Sequence, residues 1–321
     1  MSDRSLLSDS YGLDHIASAL ALRESFESAI EATQAGQNIA AVCKIVEQPG
    51  MLDLSLALMQ GEAQLTVGGE YLADRLKYYP NIWTYQPYHK SLTLDWGFMQ
   101  EAELRGKNLA EKASQLPALH ARHAETQLAY LINNGQVAAT VPAYMDDTAG
   151  NALFSAAHLY GATTYDNLET TNYLTAAGNM EDNHDNLMNG ITAWINAPDS
   201  DGKPGGFGNN LGNLMLVVSP NLWRVARVLT EGNTFVDSTG VLRPSEAAGI
   251  PWVQVPRLDN ETCVLTRRPT DPVAGFYWGL DPWIHSAVKQ PDADRATFKW
   301  TYARKWRVAP STPLALYYLG A

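Results

Sequence analysis

Two histidines on one predicted helix are the first candidates for chemistry in this chain. His120 and His123 are three residues apart, a spacing that would let both imidazoles share one metal ion. No HExxH motif surrounds them, and no further ligand is identified by its spacing. We therefore predict two solvent-facing histidines here rather than a metal site.

Three polar segments resemble ligand-binding loops without matching one. Met180–Asn186 (MEDNHDN) is rich in hard ligands but lacks calcium-loop spacing, so a solvated loop is predicted. Asp199–Pro204 (DSDGKP) begins like a calcium loop, but its glycine comes too early. Gly205–Gly212 (GGFGNNLG) has no GK[ST] and does not join a strand to a helix as a phosphate loop does. None of the three predicts a cofactor or metal.

Catalytic motifs are equally weak. No GxSxG motif occurs, and the histidines form no triad that the sequence reveals. We predict that the chain is not an enzyme and has no catalytic, cofactor-binding or metal-binding residues. A distant alternative is a soluble metal-dependent hydrolase with a site near His158, Asp182 and His184.

Composition limits the remaining classes of protein. The chain has 321 residues, 45% of them hydrophobic, which is enough to bury a substantial core. Its formal net charge of −11 argues against a dedicated nucleic-acid reader. Cys43 and Cys263 are too few for a disulfide framework. The sequence predicts no signal peptide at the N-terminus and no membrane span.

The elements that must position any site are organised around the segment 107–134. Small and apolar residues recur there every three or four positions, which predicts a long helix that ends at Asn134-Gly135. We expect Pro117 either to kink this helix or to lie near its start. A polar arm (1–12) and an amphipathic helix (13–33) are predicted before it. Further predicted elements are strands at Ile39–Val46, Leu214–Val218, Trp252–Val255, Thr262–Thr266 and Leu314–Leu319, and helices at Leu187–Ile195 and from Ser219-Pro220 to Leu229.

An extended aromatic segment spans residues 62–98. Leu92 and Leu94 alternate with polar residues, as in a strand. An isolated two-stranded hairpin is marginal in water, so this excursion must pack on something. Two alternatives are open: it folds back on its own core, or it lies on a neighbouring subunit. The aromatic residues concerned are Tyr78, Tyr79, Trp83, Tyr85 and Tyr88.

A long amphipathic strand is predicted near the C-terminus. Apolar and polar residues alternate from Arg295 to Val308, with only Arg304 out of place. Basic residues concentrate here, which indicates either a patch facing packaged nucleic acid or ion pairs within the sheet or between subunits. The candidate patch consists of Lys299, Arg304, Lys305 and Arg307.

The order of these parts resembles a known family. Leu153–His158 (LFSAAH) follows an acidic turn at Asp146, Asp199–Pro204 precedes Leu214–Leu229 (LMLVVSPNLWRVARVL), and the chain closes through a long strand. The sequence resembles tailed-bacteriophage major capsid proteins of the Hong Kong ninety-seven type, and within them Mu-like major head subunits. Two departures are Pro117 in the long helix and an N-terminus too short for a cleavable scaffolding domain.

The resemblance implies an α+β fold with an N-terminal arm, an extended two-stranded loop, a long spine helix, and peripheral and axial domains. The implied divisions are the arm and helix at 1–61, the extended loop at 62–98, the peripheral domain with the spine helix at 99–145, the axial domain at 146–288, and C-terminal strands at 289–321 that return to the peripheral domain.

The resemblance also implies a function. The chain would be a structural protein that self-assembles into hexamers and pentamers, forming the icosahedral shell around phage double-stranded DNA. Its location would be the virion, assembled in the host cytoplasm, with portal and scaffold or decoration proteins as partners, no membrane and no cofactor. The loop aromatics Tyr78, Tyr79, Trp83, Tyr85 and Tyr88 would contact a neighbouring subunit. An encapsulin-like nanocompartment that encloses protein is the alternative.

Overall fold

The computed structural model describes residues 38–59, 76–95, 109–137, 152–160, 163–198, 211–292 and 297–320. Several predictions lie outside this part of the chain: the arm and helix of residues 1–33, the acidic turn at Asp146, and the loops from Asp199 to Asn210. The described residues form a mixture of helices and sheets, which confirms the predicted fold class at that level.

The described part of the chain contains four α-helices and seventeen strands. The helices are α1 (Asn38–Val42), α2 (Leu109–Asn133), α3 (Met180–Ile195) and α4 (Trp223–Glu231). The strands are β1 (Cys43–Glu47), β2 (Met51–Asp53), β3 (Leu56–Met59), β4 (Leu76–Tyr79), β5 (Ile82–Thr84), β6 (Gln86–Asp95), β7 (His158–Tyr160), β8 (Thr163–Tyr165), β9 (Leu168–Glu169), β10 (Leu214–Val218), β11 (Thr234–Val236), β12 (Leu242–Pro244), β13 (Trp252–Gln254), β14 (Cys263–Arg267), β15 (Phe276–Asp292), β16 (Thr297–Pro310) and β17 (Leu316–Leu319).

A four-stranded sheet forms the first half of the fold, in the order β1-β15-β16-β6. The predicted alternation along β16 is confirmed, because Tyr302, Trp306 and Val308 are buried while Lys305 is exposed. Helix α2 packs on this sheet through the small residues that the periodicity predicted. Ala121 and Ala124 are both buried, so the helix backbone approaches the strands closely.

The long helix predicted for residues 107–134 is confirmed as α2, which spans 25 residues. It starts at Leu109, eight residues before Pro117, so the alternative of a start near Pro117 is excluded. Pro117 has no N–H and cannot donate a helical hydrogen bond. Most helical stability comes from tertiary packing of an apolar face rather than from one position, so a single proline does not have to end the helix.

A five-stranded sheet in the order β13-β10-β14-β17-β9 forms the second half. The predicted strand Leu214–Val218 is confirmed as β10, and all five of its residues are buried. Helices α3 and α4 cover this sheet and enclose a second apolar cluster that includes Leu187, Leu216 and Leu229. Ser219 precedes a short 3-10 turn at Pro220–Leu222 and makes no side-chain cap hydrogen bond.

Two predicted segments adopt a different structure. Ile39–Val46 was predicted to be a strand, but its first half is helix α1, because Ile39 and Val42 lie three apart and are both buried. Met180–Asn186 was predicted to be a solvated loop, but it forms the start of α3. Asn179 Oδ1 accepts from Asp182 N at 2.7 Å, a side-chain cap that begins the helix.

The strand pairing shows which strands share a sheet, and the predicted division into domains stays a prediction. The predicted boundary between residues 288 and 289 falls inside the continuous strand β15. Strand β17 pairs with β14 and β9 in the second sheet, whereas the prediction returned it to the peripheral domain. The extended hairpin begins at β3, which pairs with β4 from Leu56, and β6 belongs to the first sheet. No helix among the described residues has the length and apolarity to cross a membrane.

Candidate functional site

Two of the predicted loop aromatics lie in the core of their own chain. Trp83 and Tyr85 are each only 5% exposed and belong to the apolar cluster under α2. Trp83 Nε1 donates to Asn81 Oδ1 at 2.6 Å, and the Arg307 guanidinium lies 5.2 Å from the centre of the Trp83 ring. In this chain these two side chains are therefore packing residues, which is the first of the two alternatives left open by the sequence.

Tyr88 also packs within the chain. Its ring stacks on Trp306 with centroids 4.0 Å apart, and its hydroxyl donates to Gln86 Oε1 at 2.6 Å. Gln127 of α2 donates a hydrogen bond to the same hydroxyl. The side chains of Tyr78 and Tyr79 lie outside the described residues, so their contact with a neighbouring subunit stays a prediction.

The four predicted basic residues do not share one surface. Arg304 is buried between β1 and β15: Nη2 donates to Glu47 Oε1 at 2.6 Å and Nε donates to the Asp281 carbonyl at 3.0 Å. Lys305 is exposed, because successive residues of a strand point to opposite faces. Arg304 therefore belongs to an ion pair rather than to the patch. For Lys299 only the backbone register is described.

We expect Glu47→Ala to destabilise the subunit by about 2 kcal/mol, because it removes a charge-assisted hydrogen bond from a guanidinium that is almost fully buried. The Arg304 side chain is 5% exposed and that of Glu47 is 55% exposed, so the loss is smaller than for a fully buried pair. Urea unfolding measures the difference. Lys305→Ala is the control, since Lys305 is exposed, and an equal loss in both variants would contradict the assignment.

A β-bulge beside this ion pair presents the most exposed tryptophan of the described residues. Leu280 pairs with Trp306 and Ile284 pairs with Arg304, so residues 281–283 lie opposite Lys305 alone. Trp283 in this bulge is 80% exposed. Its backbone N–H donates to Asp281 Oδ1 at 3.0 Å. Sequence reasoning missed this residue, although the Asp281-Pro282 dipeptide inside a strand pattern was a signal for a bulge.

A cleft of about 360 Å³ lies between α2 and the first sheet. We call it the helix–sheet cleft; its lining residues are Tyr88, His89, Lys90, Leu119, His120, His123 and Trp306. His123 is exposed, as predicted, and its ring contacts Tyr88 edge-on with centroids 5.1 Å apart. The cleft therefore has an aromatic wall and a basic rim.

His120 is buried, which corrects the prediction that it faces solvent. It is 8% exposed, and Trp306 Nε1 donates to its Nδ1 at 3.2 Å. Burial, followed by the positive charges of His123, Arg304 and His89, lowers the pKa of His120 to about 4. A neutral ring is required here, because only an unprotonated Nδ1 can accept from the indole.

The residues of the hydrolase alternative have structural partners. His184 Nε2 accepts from the Glu246 backbone N–H at 3.3 Å, and its ring stacks on Phe235 at 4.8 Å between centroids. Asp182 donates its backbone N–H to the capping side chain of Asn179 and accepts from the Asn179 amide, and His158 is fully buried in β7. Within the described ranges, no group of three or more His, Cys, Asp or Glu side chains could hold a metal ion. This arrangement gives no support to a metal site.

Comparison with known proteins gives a match at the level of structure only. No protein-family model and no curated protein sequence matches the chain. The capsid of the cyanophage P-SCSP1u is 12% identical, with coverage of 88% of this chain and 86% of that chain and a TM-score of 0.53. The virus-like particle from Pyrococcus furiosus is 11% identical, with coverage of 93% of this chain and 97% of that chain and a TM-score of 0.51. The mature capsid of bacteriophage PhiM1 is 14% identical, with coverage of 87% of this chain and 84% of that chain and a TM-score of 0.50.

These three similarities extend over 87–93% of the chain. At identities below 15% they establish the fold and not the subgroup, so the likeness to Mu-like head subunits stays a prediction. The chain therefore has the fold of the subunits of phage capsids and virus-like particles.

Proposed function

We propose that this protein is a structural shell subunit that assembles with copies of itself into a closed capsid around phage double-stranded DNA. The observation that carries the proposal is the fold match to particle-forming subunits over 87–93% of the chain. Subunits of such particles are generally not enzymes, and the histidines and carboxylates described above have structural roles. We propose hexamers and pentamers as the building units.

The physical basis of assembly is the repetition of weak contacts. Head-to-tail contacts between identical subunits close into rings. Each contact can be weak, because linked subunits raise the effective concentration of the next contact. We further propose that portal and scaffold or decoration proteins act with the shell, that the protein is located in the virion after assembly in the host cytoplasm, and that it is related to Mu-like head subunits.

We assign the extended loop to the hairpin of β3 and β4 rather than to the whole aromatic segment. The hairpin pairs Leu56 with Tyr79 and Met59 with Leu76. In the described residues β3 and β4 pair only with each other, and a free two-stranded hairpin is marginal in water. Support from a neighbouring subunit would stabilise it. Tyr78 and Tyr79 are the aromatics that we retain for this contact.

A contact with packaged DNA is proposed for the face of the first sheet that carries Lys305. Lys305 is exposed, and the backbone register pairs the positions of Lys289 and Lys299 on the neighbouring strands β15 and β16. Phosphates of a nucleic acid would bind exposed basic residues without any sequence preference.

Negative-stain electron microscopy and sedimentation of the protein expressed alone, and with the proteins of its own operon, test the proposal. Closed polyhedral shells, tubes or rings are expected. Shells from infected cells that contain double-stranded DNA support the capsid, whereas shells filled with protein support the nanocompartment alternative. A protein that remains monomeric with every candidate partner contradicts both.

A further inference from the structure

Trp283 lies on the surface in a position that folding of the single chain does not explain. The side chain is 80% exposed on the bulge of β15. Exposed tryptophans of this kind are enriched among the residues that dominate protein interfaces. Bulges in long strands redirect a side chain away from the regular alternation. The bulge therefore aims a large aromatic group into solvent.

The bulge is held in place by contacts beneath it. Arg304 Nε donates to the carbonyl of Asp281, and Nη2 of the same guanidinium donates to Glu47. The Asp281 carboxylate accepts from the Trp283 N–H, and Pro282 fixes one backbone angle between them. A rigid support of this type lowers the entropy lost when the side chain enters a partner.

The helix–sheet cleft offers a complementary surface on the same chain. Its wall contains the stacked rings of Tyr88 and Trp306 and the half-exposed Leu119, an environment suited to an aromatic side chain. Lys90 on its rim can lie over the face of an indole ring. A volume of about 360 Å³ lies at the small end of ligand pockets and can hold one large side chain.

The charged groups beside the two surfaces leave the indole ring as the main contact. Glu47 of β1 is paired with Arg304, and the Asp281 carboxylate accepts from the Trp283 N–H. Among the residues that line the cleft, Lys90 is the charged side chain suited to an aromatic ring, whereas His120 is neutral. The aromatic wall and Lys90 therefore provide the recognition of a tryptophan.

We propose that Trp283 of one subunit inserts into the helix–sheet cleft of a second copy of this chain. The inference rests on the proposed function, because it names one contact of the shell. A single tryptophan buries about 150–250 Å², far less than the roughly 800 Å² per partner of a stable complex. The contact therefore acts with others in a repeated assembly and does not support an isolated dimer.

Trp283→Ala tests the contact in assembled material. Loss of a buried interface tryptophan weakens one contact by about thirtyfold or more, so closed particles should disappear at concentrations where the unaltered protein forms them. Circular dichroism should remain unchanged, because the side chain makes no core contact. Trp223→Ala is the matched control, since Trp223 is also exposed but lies on α4 in the second half of the fold. If unaltered protein and Trp283→Ala assemble equally well, the inference fails while the shell function stands.

Cross-linking tests the contact without requiring shells. An affinity-tagged Lys305→Cys protein, which keeps Trp283 beside the new cysteine, is mixed with His89→Cys protein and treated with a short bismaleimide. The native Cys43 and Cys263 are buried, and burial raises the pKa of Cys263 to about 12, so they should not react. A tagged–untagged dimer is expected at several times the yield obtained when the Lys305→Cys protein also carries Trp283→Ala. Equal yields overturn the inference even if the unaltered protein does not assemble.

Discussion

Replacing residues 60–75 with Asn-Gly is expected to leave a folded subunit that no longer forms closed shells. Met59 and Leu76 are paired residues of β3 and β4, so a two-residue turn can close the hairpin between them. The variant keeps every described member of the core cluster, so we expect the subunit to fold. If the proposed loop contact is correct, the shortened hairpin cannot reach the next subunit. Sedimentation and electron microscopy measure the loss of particles.

A deletion of Tyr78–Tyr88 provides the contrasting variant. It removes β5 and the buried side chains of Trp83 and Tyr85, each of which contributes to the apolar core. Truncating a buried tryptophan alone typically costs about 3–5 kcal/mol, so this protein should not fold. Normal shells formed by the Asn-Gly variant would show that the β3–β4 hairpin is not an assembly element.

Acidification from pH 6.5 to about 4 is expected to destabilise the subunit by about 3 kcal/mol through His120 alone. The pKa of His120 is lowered to about 4 in the folded protein, whereas it is about 6.5 in an unfolded chain. Between these values the unfolded chain binds a proton that the folded chain does not. The stability contributed by the neutral ring is therefore complete above pH 6.5 and is lost as the pH falls toward 4.

Urea unfolding of dissociated subunits at pH 7.5 and pH 5 measures this effect, and about 2 kcal/mol of the loss is expected by pH 5. Since other groups titrate in the same range, the informative quantity is the difference between the unaltered protein and His120→Asn, whose amide oxygen can still accept from Trp306. The variant should lose much of the pH dependence. His123→Asn should retain it, because His123 is exposed. The same pH dependence in all three proteins would contradict a buried neutral His120.

The long helix and the long strand could be predicted from the sequence because their periodic patterns extend over many residues. Alternation along β16 and the three- and four-residue spacing in α2 each extend over many positions and correspond to one buried face. The alternation in the long C-terminal strand also showed which residue departs from it. Arg304 breaks the alternation, and the structure shows that it lies on the buried face of the strand, paired with Glu47 from 257 residues away.

Local pattern failed where a contact from a distant part of the chain decided the outcome. Met180–Asn186 is rich in residues typical of a ligand-binding loop, but His184 is buried and contacts Glu246 and Phe235, which lie more than 50 residues away in sequence. Nothing in the sequence showed what supports Trp83 and Tyr85, because the residues beside them come from β2, β15 and β16, for example Leu52, Gly279 and Arg307. The sequence therefore could not show which of the five loop aromatics are available to contact a neighbouring subunit.

The sequence by itself determined the class of fold, the long helix, the long amphipathic strand and the resemblance to capsid subunits, because each depends on residue order alone. Only the tertiary structure decided that Trp83, Tyr85, His120 and Arg304 face inward and that Trp283 faces outward. Burial depends on which strands become neighbours in space. In this chain β1, β6 and the consecutive strands β15 and β16 come from three separate regions of the sequence to form one sheet.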